Sequence, residues 1–223
     1  MGIILNLETA TTNCSVSLAK DGVLLALREN NTPNYSHAEQ LHVFIAECMA
    51  EAKLPLTKLE AIAVSKGPGS YTGLRIGVSA AKGLCFSLDI PLISIATLTS
   101  MASKFVGAFD YIIPVLDARR MEVYSAVFDC DLNQIRETEA EIIDEHSFGS
   151  YLHHKSVLVS GSGAQKIKET LSAENVSFDT TCVPSSKEMA KLSHEKYQEG
   201  NFEDVAYFEP YYLKDFMLQT KKK

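Results

Sequence analysis

No apolar run in the sequence approaches the roughly 20 residues that a helix needs to cross a bilayer. The N-terminus also lacks the basic, apolar and small-residue succession of an export signal. Positive charge is in deficit: 21 lysines and arginines stand against 28 acids, for a net charge of −7. Such a field disfavours nonspecific binding to nucleic acid or to acidic membranes. The terminal Lys221-Lys222-Lys223 is a local exception and reads as a solvated tail. Cysteines Cys14, Cys48, Cys85, Cys130 and Cys182 are odd in number and never spaced C-x-x-C. That pattern excludes a disulfide frame and a zinc knuckle, and it points to buried, reduced thiols in the cytoplasm. No G-x-S-x-G elbow appears, and no local motif assembles a nucleophilic triad.

What is present is ordinary in bulk and specific in one place. With 223 residues, 46% hydrophobic and 22% charged, the chain can bury a core as one large domain or two small ones. The specific place is Ser65-Lys66-Gly67-Pro68-Gly69-Ser70-Tyr71-Thr72-Gly73-Leu74-Arg75-Ile76-Gly77. The apolar run Leu59 to Val64 before it has the length of a buried strand, and Val78 to Leu88 continues after it as a helix would. Strand, tight turn, helix is therefore the expected unit, with Ser70 or Thr72 as the helix cap.

A turn of this kind can hold an anion, because free N–H groups and the helix dipole converge there. Two phosphate-loop patterns nevertheless fail. A P-loop ends Gly-Lys-Ser/Thr, whereas this one ends Gly73-Leu74-Arg75. A dinucleotide fingerprint places its third glycine one residue earlier and an acid after the next strand, and that strand runs instead into Ala96 and Thr97. A plain strand-helix connection accounts for the local pattern. Within the helix, Gly73, Gly77 and Ala81 recur at every fourth residue, and only Arg75 and Lys82 carry charge between Tyr71 and Leu88. Each interior glycine costs about 1 kcal/mol relative to alanine, so the stripe is expected where another backbone comes close. A helix so poor in charge is buried on more than one side.

Taken in order, Gly2 to Leu7, Cys14 to Ala19 and Val23 to Leu27 read as three antiparallel strands, the last two joined by the hairpin signal Asp21-Gly22. Ser36-His37-Ala38-Glu39 matches a capping box, and Leu41, Phe44, Ile45, Cys48 and Ala52 follow at helical spacing. His37 and His42, five apart, are expected as surface or capping residues rather than metal ligands. Beyond the glycine-rich unit come a strand near Pro91 to Ile95 and a helix capped by Thr97 or Thr99 that runs to about Phe105.

The second half repeats this outline. Tyr111 to Leu116 ends in Asp117 as Ile3 to Leu7 ends in Glu8. Met121 to Phe128 and Gln134 to Thr138 follow as strands, then a helical stretch over Asp144 to Leu152. A strand at Val157 to Val159, a helix at Ala164 to Leu171 and a helix capped by Ser185 or Ser186 complete it. Tyr207, Phe208, Tyr211, Tyr212 and Phe216 read as a C-terminal segment packed back onto the body.

The expected fold class is a duplicated α/β architecture in the actin-like ATPase (ribonuclease H-like) layout, two subdomains with mixed sheets. Residues 1–105 would form the first subdomain, completed by 205–223, and 106–204 the second. In that layout ATP sits between the halves, its phosphates held by the first hairpin turn of each. Glu8, Thr9, Thr11 and Asp117 are the corresponding candidates here, but both turns lack the glycines that let a backbone close on a phosphate. The candidate nucleotide site reads as vestigial.

Several segments together resemble the TsaB (YeaZ) family. They are Leu7-Glu8-Thr9-Ala10-Thr11 with Cys14-Ser15-Val16, the glycine string Gly67 to Gly77, Leu116-Asp117-Ala118-Arg119 with Glu122-Val123-Tyr124, and Pro210-Tyr211-Tyr212-Leu213-Lys214. The resemblance implies a noncatalytic subunit of the bacterial machinery that attaches threonylcarbamoyl to N6 of adenosine 37 in tRNA. It implies a TsaD-like catalytic paralogue as heterodimer partner and a TsaE-like ATPase in a larger complex. No cofactor is expected on this chain; ATP and metal belong to the partner subunits. The chain has no His-x-x-x-His pair such as the catalytic paralogue uses for metal, and Glu8 stands where the family more often has Asp. Leu41, Phe44, Ile45, Cys48, Gly73, Gly77 and Ala81 are the interface residues this reading assigns, so Gly77→Leu would weaken partner binding in a folded chain. Two other readings stay open: an active ATPase or phosphotransferase using Glu8 and Asp117, and a homodimeric module whose helices pair with themselves. A tRNA contact by this chain is left open.

Overall fold

The computed structural model describes residues 2–33, 36–152, 156–171 and 175–214. Two five-stranded sheets share one plan. In the first, β1 (Ile3–Glu8) is central, paired antiparallel with β2 (Asn13–Lys20) and parallel with β4 (Ala61–Gly67). Outside them lie β3 (Val23–Asn31) and β5 (Leu92–Ala96), giving the order β3-β2-β1-β4-β5. In the second, β6 (Tyr111–Asp117) takes the central place, with β7 (Glu122–Asp129) and β8 (Gln134–Ile142) antiparallel on one side. On its other side β9 (Val157–Ser160) and β10 (Val176–Asp179) run parallel. The order β10-β9-β6-β7-β8 repeats the first sheet strand for strand. This is the duplicated actin-like fold.

Period-two alternation explains the layers. On one face of the first sheet Leu5, Leu7, Val16, Leu18, Ile62 and Val64 meet α1 (His37–Glu51) and α2 (Tyr71–Leu88). On its other face Ile4, Ala61, Ala63, Ile93 and Ile95 meet Met189 and Leu192 of α5 (Ser186–Glu199). The second sheet packs Ile113, Val115, Val123 and Val159 against Ala164 and Ile167 of α4 (Ala164–Thr170). Its opposite face, through Ile112, Leu116, Ala126 and Phe128, receives Leu98, Met101 and Ala102 of α3 (Thr97–Ser103). The helix that ends each half therefore lies over the sheet of the other half. This places α5 with the first sheet, although it falls within 106–204: its apolar Met189 and Leu192 match Ile4 and Ile93, not the face that α3 already covers.

Local signals held where turn chemistry was strong. Asp21 and Gly22 both have positive φ, 51° and 77°, as a two-residue hairpin turn of the right hand requires. Ser70 caps α2, its Oγ accepting from the Gly73 amide at 3.3 Å. Elsewhere the structure differs. Ser36 caps α1 through its carbonyl, which accepts from the Glu39 and Gln40 amides at 3.1 and 3.0 Å, with no side-chain cap. Thr97 is the first residue of α3 rather than its cap; the cap position falls on Ala96, which has no side-chain acceptor, and the Thr97 hydroxyl instead bonds Ser65 Oγ at 2.7 Å. Asp144 to Leu152 forms turns rather than a helix; Asp144 Oδ1 accepts from the His146 amide at 2.9 Å and closes the chain locally. Strand β10, only half-buried, was not expected. Phe216 and Lys221 to Lys223 lie outside the described residues.

Candidate functional site

Glu8 ends the central strand of the first sheet, and its side chain is wholly buried. The Ala10 amide donates to its Oε1 at 2.6 Å, while Oε2 has no hydrogen-bond partner among the described residues. Burial pushes this carboxyl up to about 7, only partly offset by the Ala10 amide. Asp117, its counterpart in the second half, is exposed; Oδ1 accepts from the Arg119 amide at 2.6 Å and pairs with Lys166 Nζ at 2.7 Å. The two acids thus sit in unlike surroundings.

The turn after β1 is engaged by the chain itself. Thr9 Oγ1 donates to the Gly73 carbonyl at 2.8 Å. The Ala10 carbonyl accepts from the Ser70 amide at 2.7 Å, and a Cβ on Gly69 would overlap that same carbonyl. Thr11 offers its carbonyl to His37 Nε2 at 2.7 Å, and its hydroxyl accepts weakly from the Asn13 amide at 3.5 Å. His37 is buried, and burial holds it below its ordinary pKa, so the ring is neutral and Nε2–H is the donor. It fastens the start of α1 to the first turn instead of lying on the surface. A phosphate does not fit here: the Ala10 amide is already given to Glu8, and the glycine-rich turn occupies the space above Ala10. Among the described residues no three His, Cys, Asp or Glu side chains gather as a metal would require.

The small-residue stripe of α2 serves this same packing. A Cβ on Gly73 would overlap the Thr9 carbonyl, and one on Gly77 would overlap Thr9 Oγ1. The backbone that comes close is the chain's own first turn. Leu41, Ile45, Cys48, Gly73, Gly77 and Ala81 are all buried within the chain, and Phe44 is half-buried against the same core. The expected interface residues are therefore internal, because the faces of α1 and α2 that carry them cover the sheet. Gly77→Leu would strike the fold, not a partner.

The outward faces of α1 and α2 tell a different story. Between them runs an open groove of about 710 Å³, lined by Ala38 and His42 of α1 and by Tyr71, Arg75, Ile76, Ser79, Ala80, Gly83 and Leu84 of α2. Among the described residues nothing lies within 4 Å of a Cβ built on Gly83. That glycine costs the helix about 1 kcal/mol with no packing against the described residues to require it. Phe86, 86% exposed, and Val43, 52% exposed, project from the same two helices. Arg75 is the cation of the groove, its guanidinium 4.3 Å from the centre of the Tyr71 ring. The sequence held the signal for this face in the missing charges at positions 76, 79, 80 and 83; the more regular glycine stripe drew attention to the opposite side.

Comparison with known proteins agrees with this architecture. Residues 32–220 match the family model described as TsaD, tRNA N6-adenosine threonylcarbamoyltransferase. The tRNA threonylcarbamoyladenosine biosynthesis protein TsaB of Escherichia coli K12 is 31% identical over 228 aligned positions, covering 98% of this chain and 97% of that one. The protein of the same name from Bacillus subtilis 168 is 33% identical over 56% of this chain and 54% of its own length. Among solved structures, YeaZ from Pseudomonas aeruginosa superposes with a TM-score of 0.83 at 22% identity, over 96% of this chain and all (100%) of that one. A second Pseudomonas aeruginosa structure, described as similar to peptidase YEAZ, reaches 0.86 at 23% identity with the same coverage, 96% and 100%. Near-complete coverage by the Escherichia coli relative, with the fold matched end to end, settles the family: the chain belongs to the TsaB (YeaZ) family of tRNA threonylcarbamoyladenosine biosynthesis proteins.

Proposed function

We propose that the chain is a noncatalytic scaffold subunit of the tRNA threonylcarbamoyladenosine machinery, which binds and activates a TsaD-like catalytic paralogue through the α1/α2 groove. The observation that carries this reading is the contrast between two surfaces. The turn that holds phosphate in actin-like ATPases is filled by Gly69, Thr9 and Ala10 of the chain itself. The outward helix face is apolar, thinned at Gly83 and flanked by Phe86. Depletion of charge with aromatic and arginine anchors is the composition of an interface core.

On this reading ATP and metal belong to the partner subunits, and a TsaE-like ATPase joins the larger complex. The same groove would pair two copies of the chain when the partner is absent. The five cysteines, all free, are in keeping with a reducing cytoplasm. The test is reconstitution. Threonylcarbamoyl transfer to tRNA by the TsaD-like subunit should rise strongly when this chain is added, and the chain alone should show none. Calorimetry with Mg-ATP on the isolated chain separates this from an ATPase built on Glu8 and Asp117: tight binding abolished by Glu8→Ala would overturn the scaffold reading.

A further inference from the structure

Residues 201–214 leave α5 and cross the molecule as a strap. Its first anchor is the edge of the first sheet, where the Glu203 amide donates to the Leu92 carbonyl at 2.8 Å. Lys82 of α2 then holds the strap by donating to the carbonyls of Ala206 and Phe208 at 3.0 and 3.1 Å. Farther along, the Tyr211 amide donates to the Lys66 carbonyl at 2.7 Å, at the end of β4. The Tyr212 ring lies 4.9 Å from that of Tyr71, centre to centre. Finally Lys214 reaches the second subdomain, donating to the Ala118 carbonyl at 3.2 Å and pairing with Glu122.

Tyr71 belongs to both ends of this chain of contacts. It lines the groove beneath Arg75, and it carries Tyr212, two residues before the only strap side chain described as paired with the β6–β7 turn. Ordered contacts of this kind, running through rings and one ion pair, give a physical route between two surfaces. We propose that the strap is a clasp coupling the α1/α2 groove to the β6–β7 turn, through the stack Arg75–Tyr71–Tyr212 and the Lys214–Glu122 pair. The coupling is a property of the chain alone; only its use by a docked partner rests on the scaffold reading. Thermodynamic linkage makes it reciprocal: what loosens one end loosens the other.

Amide hydrogen exchange on the full chain tests this. Arg75→Ala alters only the groove, and it should raise exchange several-fold in peptides spanning residues 117–124. Lys214→Met alters only the far end, and it should raise exchange at residues 71–75. Glu122→Gln, which weakens the same ion pair from the other side, should reproduce the Lys214→Met pattern. Arg75 is exposed and Lys214 and Glu122 are only partly buried, so all three variants are expected to fold. Changes confined to the segment around each substitution would overturn the proposal. Adding the TsaD-like subunit to the wild-type chain keeps the two readings apart. Failure to bind refutes docking at the groove, while the variants alone decide the clasp.

Discussion

Replacing Glu8 by Gln should abolish the loss of stability that the wild-type carboxyl causes as pH rises. The folded carboxyl is raised from 4.5 to about 7 by burial, so the native state holds this proton more tightly than the unfolded chain does. Below pH 4.5 the group is protonated in both states and costs nothing. As pH rises from 4.5 through 7, the unfolded chain ionises first and native stability falls. A shift of about 2.5 units at about 1.4 kcal/mol each is worth roughly 3 kcal/mol, present in full above pH 7. His37 works against this slope, because a buried neutral histidine adds stability as pH rises toward its unfolded value. The informative quantity is therefore the difference between wild type and Glu8→Gln. Gln keeps an oxygen for the Ala10 amide but buries an extra NH2 group, a cost of about 1–3 kcal/mol that does not change with pH. Urea unfolding at pH 5, 6, 7 and 8 should show the variant gaining roughly 3 kcal/mol on wild type across the range. Parallel curves for the two proteins would refute the buried-acid reasoning.

Other substitutions probe the packing around that turn. Gly77→Ala improves helix propensity by about 1 kcal/mol, yet its Cβ would overlap Thr9 Oγ1. Overpacking of this kind costs about 1–3 kcal/mol, so a net loss of stability in urea is expected, and a gain would show that α2 and the first turn are not in contact. Ser70→Ala removes the hydroxyl that accepts from the Gly73 amide; a loss of about 1 kcal/mol should lower the melting temperature by about 2–4 °C. No change would mean the cap carries no stability. Reconstituted transferase activity should depend on the chain as described above.

The strands and the glycine-rich unit were legible because each carries two agreeing signals, alternation and turn chemistry. Asp21-Gly22 and Ser70 are examples, each found in the conformation that its residue type favours. Asp144 to Leu152 misled because an aspartate that can close a turn looks the same in sequence as one that starts a helix. The helix exchange was invisible: which sheet α5 covers depends on what α3 has already covered, a relation between segments far apart in the chain. The glycine stripe was read correctly as a close approach of backbones and assigned to the wrong partner. A stripe reveals that something comes near, and only the fold shows that Thr9 already occupies the space. The opposite face, with Gly83 at its centre, carried the weaker pattern and the exposed surface.

Gly83→Leu tests docking at the groove most directly. Among the described residues nothing lies within 4 Å of the new side chain's first carbon, so the variant should fold and gain up to about 1 kcal/mol from helix propensity. Affinity for the TsaD-like subunit, measured by titration calorimetry on both purified proteins, should fall at least tenfold, about 1.4 kcal/mol, because the side chain fills the groove. A folded variant that binds as tightly as wild type would contradict the assignment of this face.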